Sequence, residues 1–216
     1  TRFGWMLLSD YTFKQPGFNP EVRTNNWYYR FEVFQVYDEK EIDGMMWFMI
    51  GPDEWVNRLQ VSLVYPTSHA PGAVKDGRWI EVNLWEQTIS VYENNQLRFA
   101  TLTSTGVEGY WTRPGLFQIS EKIETTYMSG SFEADYSDYY YLEDVPYTMY
   151  FDEARALHGA YWHSKLGYTQ SHGCVNLSPG DSHWLFDWAE VGDWVYVWDP
   201  SGQTPEDPAL YGSGGA

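Results

Sequence analysis

The sequence predicts a mainly β protein with one short helix and a small N-terminal β-barrel-like domain. Short apolar runs with two-residue alternation recur along the chain, and Gly, Pro, Asp and Asn clusters separate them. Only one stretch carries both helical spacing and cap residues. The chain has 216 residues, 43% of them apolar and 19% aromatic, enough for one large folded domain or two small ones.

Residues 1–70 contain strand-like runs at Phe31–Val36, Met46–Ile50 and Leu59–Val64, punctuated by Asp43-Gly44 and Gly51-Pro52-Asp53. The pattern Asp43-Gly44-Met45-Met46-Trp47-Phe48, followed by Gly51-Pro52-Asp53-Glu54-Trp55-Val56, resembles the bacterial Src-homology-type small barrel over about forty residues. Residues 71–77, with Pro71-Gly72 and Asp76-Gly77, read as a linker.

A second domain is expected over 78–198. Ile80, Val82 and Leu84 share one strand face. Ile89 and Val91 lead into Glu93-Asn94-Asn95, and Leu97, Phe99 and Thr101 return as the second arm of a hairpin. Arg113-Pro114-Gly115 marks a turn before the strand Leu116–Ser120. Ser178 can cap the helix, Pro179 suits its first turn, and Asp181 favours its positive end. Trp184, Leu185 and Trp188 are spaced to face the core; Gly192-Asp193 ends the element, and Trp194–Trp198 forms a last strand. Residues 199–216, rich in Pro, Gly and Ser, read as a flexible tail.

The net charge of −17, from 30 acidic and 13 basic side chains, makes nucleic acid and anionic membranes poor partners. Between Glu121 and Glu153 nine acids face one base, Lys122, either as a solvated loop face that aids solubility or as an acidic lip that attracts an amine. No apolar run is long enough to span a membrane. The chain starts at Thr1 with no basic n-region, so any export signal or anchor is expected outside it.

Cys174 is the one cysteine, which excludes an intramolecular disulfide. It lies in Ser171-His172-Gly173-Cys174-Val175-Asn176. A free thiol is mostly protonated at neutral pH, and a nearby imidazole can take that proton and later return it to a leaving group. His172, two residues before Cys174, and His158, sixteen before it, are both candidates. Gly159 and Gly173 allow close backbone approach, and Gly173 frees nearby N–H groups for a developing oxyanion. Cys174 is therefore expected to be a nucleophile for acyl transfer.

His158-Gly159, twelve further residues to Ser171, and then the Cys174 run resemble the signature of the L,D-transpeptidases of the YkuD type. The resemblance runs from about Trp79 to Trp198. It takes in Gln87-Thr88-Ile89-Ser90-Val91-Tyr92, Ser104-Thr105-Gly106 and Arg113-Pro114-Gly115-Leu116-Phe117, with Arg113 standing where that family usually has Thr. It implies a β-sandwich of the L,D-transpeptidase type. It also implies Cys174 as nucleophile, His158 as base oriented by the carbonyl of Gly159, and N–H groups of Gly173 and Cys174 as oxyanion donors. Ser171, His172 and Asn176 would shape the site and hold substrate. The implied substrate is a peptidoglycan tetrapeptide stem that loses D-Ala, with a stem amine giving a 3→3 cross-link; water as acceptor would make a carboxypeptidase. That places the protein outside the cytoplasm, in the cell envelope; no cofactor is expected, and the sequence leaves the oligomeric state open, with a monomer expected.

His163 can line the pocket or lie on the surface. Tyr147, Met149 and Tyr150 fall in a stretch that covers substrate in relatives, or form an ordinary half-buried strand. His69 and His183 have no matching context. A zinc site built from His158, His163, His172 and Cys174 fits no compact ligand spacing, so no metal is expected. Papain-like enzymes place Cys before His, the reverse of the order here. A purely binding role would leave the intact His158 and Cys174 without purpose.

Overall fold

The computed structural model describes residues 1–131, 135 and 139–211. The chain divides into two compact units, Thr1–Pro66 and Thr67–Ala216.

Unit 1 contains β1 (Phe3–Met6), β2 (Asp10–Phe13), β3 (Arg23–Tyr28), β4 (Val33–Gln35), β5 (Asp38–Ile42), β6 (Met45–Gly51), β7 (Glu54–Asn57) and β8 (Val61–Val64). They form a three-stranded sheet, β4-β1-β8, and a five-stranded sheet, β3-β2-β7-β6-β5. The small N-terminal β unit is present as expected; among the described residues the edges of its two sheets do not pair, so it does not close into a barrel. Asp43 and Gly44, both at positive φ, make the tight turn from β5 to β6. Two expected strands start late. Phe31 sits at φ 71°, which excludes it from β4. Asn57 and Gln60 form a capping box that winds Arg58–Gln60 into a 3-10 turn before β8.

Unit 2 contains β9 (Trp79–Asn83), β10 (Thr88–Glu93), β11 (Gln96–Leu102), β12 (Gly115–Gln118), β13 (Glu121–Gly130), β14 (Tyr140–Asp152), β15 (Arg155–Gly159), β16 (Val175–Leu177), α1 (Pro179–Trp188) and β17 (Trp194–Trp198). One sheet runs β11-β10-β9-β17-β12 and the other β13-β14-β15-β16. Ile80, Val82, Ile89 and Val195 from the first meet Met149, Leu157, Val175 and Leu177 from the second, with Leu185 of α1 joining them. This is the predicted sandwich. Asn94 and Asn95 take the positive φ values of the hairpin turn between β10 and β11.

The N-cap is as read from the sequence, with Ser178 Oγ accepting the N–H of Asp181 at 3.1 Å, but the helix ends at Trp188 with Ala189 as its C-cap, before the expected Gly192-Asp193. At the other end Lys122 Nζ donates to the carbonyls of Phe186, at 2.6 Å, and Ala189. The lone base of the acidic stretch thus neutralises the negative end of α1. Leu185 is fully buried, whereas Trp184 is 38% exposed and stacks on Phe99 at 4.2 Å rather than entering the core.

Two stretches expected to be loose are packed. Val74, in the supposed 71–77 linker, is buried against Trp79 and Tyr92. In the supposed tail, Asp199 Oδ2 accepts from the N–H and hydroxyl of Thr204, and Tyr211 is buried. The last five residues, 212–216, lie outside the described residues. No helix is long and apolar enough to cross a membrane among the described residues.

Candidate active site

Parallel pairing of β15 with β16 sets Leu157 opposite Val175 and His158 opposite Asn176. Cys174 directly precedes β16, so by two-residue alternation it shares a face with Asn176, and His158 shares that face from the neighbouring strand. His158, Cys174, Asn176, Ser171 and His172 all line one cleft of about 220 Å³. The crossover from Ala160 to Gly173 brings together residues sixteen apart in sequence.

His158 is 2% exposed. Its Nδ1 lies 3.1 Å from the carbonyl of Gly159, an acceptor, so Nδ1 carries the proton and Nε2 is the basic nitrogen. The ring stacks on Trp162 at 5.7 Å. Burial pulls its pKa down to about 4, against the opposing pull of the Gly159 carbonyl. Burial likewise pushes the Cys174 thiol up to about 11, while the N–H of Ala156 and the charge of Arg155 act in the other direction. The resting pair is therefore a neutral thiol and a neutral imidazole.

The turn before the thiol is tied from two sides. Ser171 Oγ donates to the Cys174 carbonyl at 2.5 Å and accepts the Gly173 N–H at 3.1 Å. Thr112 Oγ1 donates to the Gly173 carbonyl at 2.8 Å and accepts the Gly106 N–H at 3.0 Å. The Gly173 N–H, one of the two expected oxyanion donors, is thus engaged by Ser171 Oγ in this arrangement. Gly173 has φ 121°, a region that disfavours any side chain. Gly159 has a different reason to be glycine: a Cβ there would lie 2.6 Å from Ser182 Oγ and 2.9 Å from Pro146 Cγ.

His163 does not line the cleft itself but supports Asn176, which does. Its Nδ1 accepts the N–H of Lys165 at 3.1 Å, so Nε2 carries the proton. Nε2 lies 2.9 Å from the amide of Asn176. The amide must then present its oxygen to Nε2–H, which also gives the otherwise unpartnered buried Oδ1 its donor.

The structure places two expected substrate residues elsewhere. Met149 is fully buried in the sandwich core. Tyr147 stacks on His183 of α1 at 4.5 Å and packs on Phe186. Met149 and Tyr147 are an odd number of residues from Tyr140, Leu142 and Tyr150, so two-residue alternation puts them on the opposite face of β14. Met128, Tyr140 and Leu142 line it instead, together with Trp162 and Gln170. Tyr150, from the same expected group, does pack beside Cys174. His172 lies between two rings, 5.0 Å from Tyr110 and 5.8 Å from Tyr140. Among the described residues no group of three or more His, Cys, Asp or Glu is placed to hold a metal ion. Glu133 and Asp138 of the acidic stretch lie outside the described residues.

A buried thiol, an imidazole of fixed tautomer and a glycine turn on one face of a β-sandwich suit cysteine nucleophile chemistry. The chain belongs to the L,D-transpeptidase catalytic domain family (YkuD), which it matches over residues 77–197. An L,D-transpeptidase from Stackebrandtia nassauensis is 32% identical, with 62% of this chain and 60% of that chain covered and a TM-score of 0.48. The catalytic domain of the E. faecium L,D-transpeptidase acylated by ertapenem is 26% identical over 58% of this chain and 100% of that one, with a TM-score of 0.50. An L,D-transpeptidase from Mycobacterium smegmatis shares the fold at 23% identity and a TM-score of 0.53, covering 74% and 76%. The chain spans 60%, 49% and 50% of the length of three of the solved relatives. Among curated proteins no match is found.

Proposed function

We propose that this protein is a peptidoglycan L,D-transpeptidase of the cell envelope that works through a Cys174 thioester. The observation that carries the reading is the His158 Nδ1 contact with the Gly159 carbonyl, because it leaves Nε2 as a base in the same cleft as the thiol. As Cys174 Sγ attacks the carbonyl between the third residue of the stem and D-Ala, its proton passes to His158 Nε2. Collapse of the tetrahedral intermediate breaks the C–N bond, and the imidazolium protonates the departing amine of D-Ala. An amine of a second stem then attacks the thioester, loses its proton to His158, and expels the thiolate. The neutral resting pair supports a proton transfer that accompanies attack rather than one that precedes it.

The ertapenem-acylated E. faecium relative suggests the probe. A carbapenem is expected to add covalently to Cys174, read by mass spectrometry of the intact protein and its peptides. An adduct that persists in Cys174→Ala would remove the assignment. Products from a defined tetrapeptide stem then separate cross-linking from hydrolysis by mass.

A further inference from the structure

Beneath the nucleophile turn lies a group of charges that the reaction above does not use. Arg155, the first residue of β15, is 4% exposed. Its Nη1 donates to Asp152 Oδ2 at 3.0 Å and its Nη2 to the carbonyl of Tyr211 at 3.3 Å. Arg113 holds the same carboxylate, with Nε 2.9 Å from Oδ2 and Nη2 on Oδ1. Asp152 is itself 4% exposed. The Arg155 Nε is buried and has no hydrogen-bond partner. A Cβ on Gly173 would stand 3.3 Å from that nitrogen, so the backbone just before Cys174 rests against the guanidinium.

Two guanidinium groups share one carboxylate, which leaves the cluster one positive charge in excess. The Arg113 side chain keeps 26% of its surface in water, but the Arg155 side chain is 5% exposed, so the excess charge is only partly solvated. The Tyr211 carbonyl and the Tyr211 ring, 5.4 Å from the Arg155 guanidinium, offset part of the remaining cost. The negative charge that develops on Cys174 Sγ as its proton leaves during attack, and the thiolate expelled when the thioester is resolved, supply the missing charge one residue from the contact. We propose that the Arg113–Asp152–Arg155 cluster is an electrostatic device that stabilises the Cys174 thiolate, with Arg155 as the positioning residue that delivers its charge.

The other titratable groups around the thiol are His158 on β15, His172 on its own turn, and Tyr140 and Tyr150 on β14. Of these neighbours only Arg155 is charged at every working pH. Its charge opposes the upward pull of burial on the thiol. The Tyr211 carbonyl, from beyond β17, holds the guanidinium from the far side, which gives the packed C-terminal segment a part in the same device.

The proposal rests on Cys174 being the nucleophile, so the test reads the thiol directly. Iodoacetamide alkylation of Cys174 is followed against pH on the full chain, and carbapenem acylation is measured alongside. Arg155→Met is expected to raise the alkylation midpoint by about one pH unit, a tenfold loss of thiolate at fixed pH. Arg113→Gln, which removes the excess charge and keeps a donor to Asp152, is expected to raise it less. Asp152→Asn adds to the excess charge and is expected to lower it. Loss of packing alone would not move the last two variants in opposite directions. Midpoints that stay put, or that move the same way in Arg113→Gln and Asp152→Asn, overturn the proposal; if Arg155→Met does not fold, these two decide it. Absence of carbapenem acylation in the wild-type protein would instead count against the functional reading, leaving the midpoints to report on the cluster.

Discussion

The hydroxyl of Ser171 bridges the two peptide groups that flank the nucleophile, donating to the carbonyl of Cys174 at 2.5 Å and accepting the N–H of Gly173 at 3.1 Å. Ser171→Ala removes a hydrogen bond from each of these two peptide groups. A buried polar group without a partner costs about 1–3 kcal/mol. Carbapenem acylation is expected to slow by roughly tenfold to a hundredfold in this variant, with the fold retained by circular dichroism. Unchanged acylation would show that Thr112 alone holds the turn.

His158→Ala removes the basic Nε2. General-base catalysis is typically worth about 10²–10⁴-fold, and acylation is expected to fall by that order while Cys174 remains alkylatable at high pH. A rate near wild type would transfer the role to His172.

The same residue shapes acid stability. Burial holds His158 at about 4 in the folded protein, whereas an unfolded histidine titrates near ~6.5. Between these values the unfolded chain binds more protons, so stability is present above pH ~6.5 and is lost as pH falls toward the folded value, by on the order of 3 kcal/mol. Urea unfolding at pH 7.5 and 4.5 should show a smaller acid loss in His158→Gln than in the wild type. Equal losses would mean that His158 is solvated in the folded state.

Glu81 behaves in the opposite sense. Burial raises its carboxyl to about 7, so its folded form holds a proton that the unfolded chain has released. Stability from this group is lost as pH rises between about 4.5 and 7, again by on the order of 3 kcal/mol. Glu81→Gln is expected to raise the melting temperature at pH 8 and leave it nearly unchanged at pH 4. A lower melting temperature at pH 8 would contradict this.

Residues of β14 should separate by readout. Leu142→Ala is expected to raise KM for a tetrapeptide stem with little change in melting temperature, because Leu142 lines the cleft. Met149→Ala opens a cavity in the sandwich core and is expected to cost about 2–5 kcal/mol of stability. The reverse pattern would restore Met149 to the substrate surface.

Much of this protein is written locally. The Asn94-Asn95 hairpin, the Ser178 N-cap, the strands of the β11-β10-β9-β17-β12 sheet and the paired motifs around His158 and Cys174 all follow from residue type and short-range spacing, whereas β13 falls in the acidic stretch that read as a solvated loop. Such signals depend on φ preference, side-chain period and cap chemistry, which a neighbouring segment rarely overrides. What faces the cleft was not legible. Which face of β14 meets the cleft is set by packing: Tyr140 and Leu142 line it, while Tyr147 and Met149, on the alternate positions, turn to α1 and the sandwich core. The state of the thiol was not legible either. Its pKa depends on burial and on Arg155, whose partners Arg113, Asp152 and Tyr211 converge only when the two sheets and the C-terminal segment pack. The sequence alone determined which residues could react; tertiary structure decided their faces, tautomers and charges, because these depend on desolvation and on contacts between residues far apart in the chain.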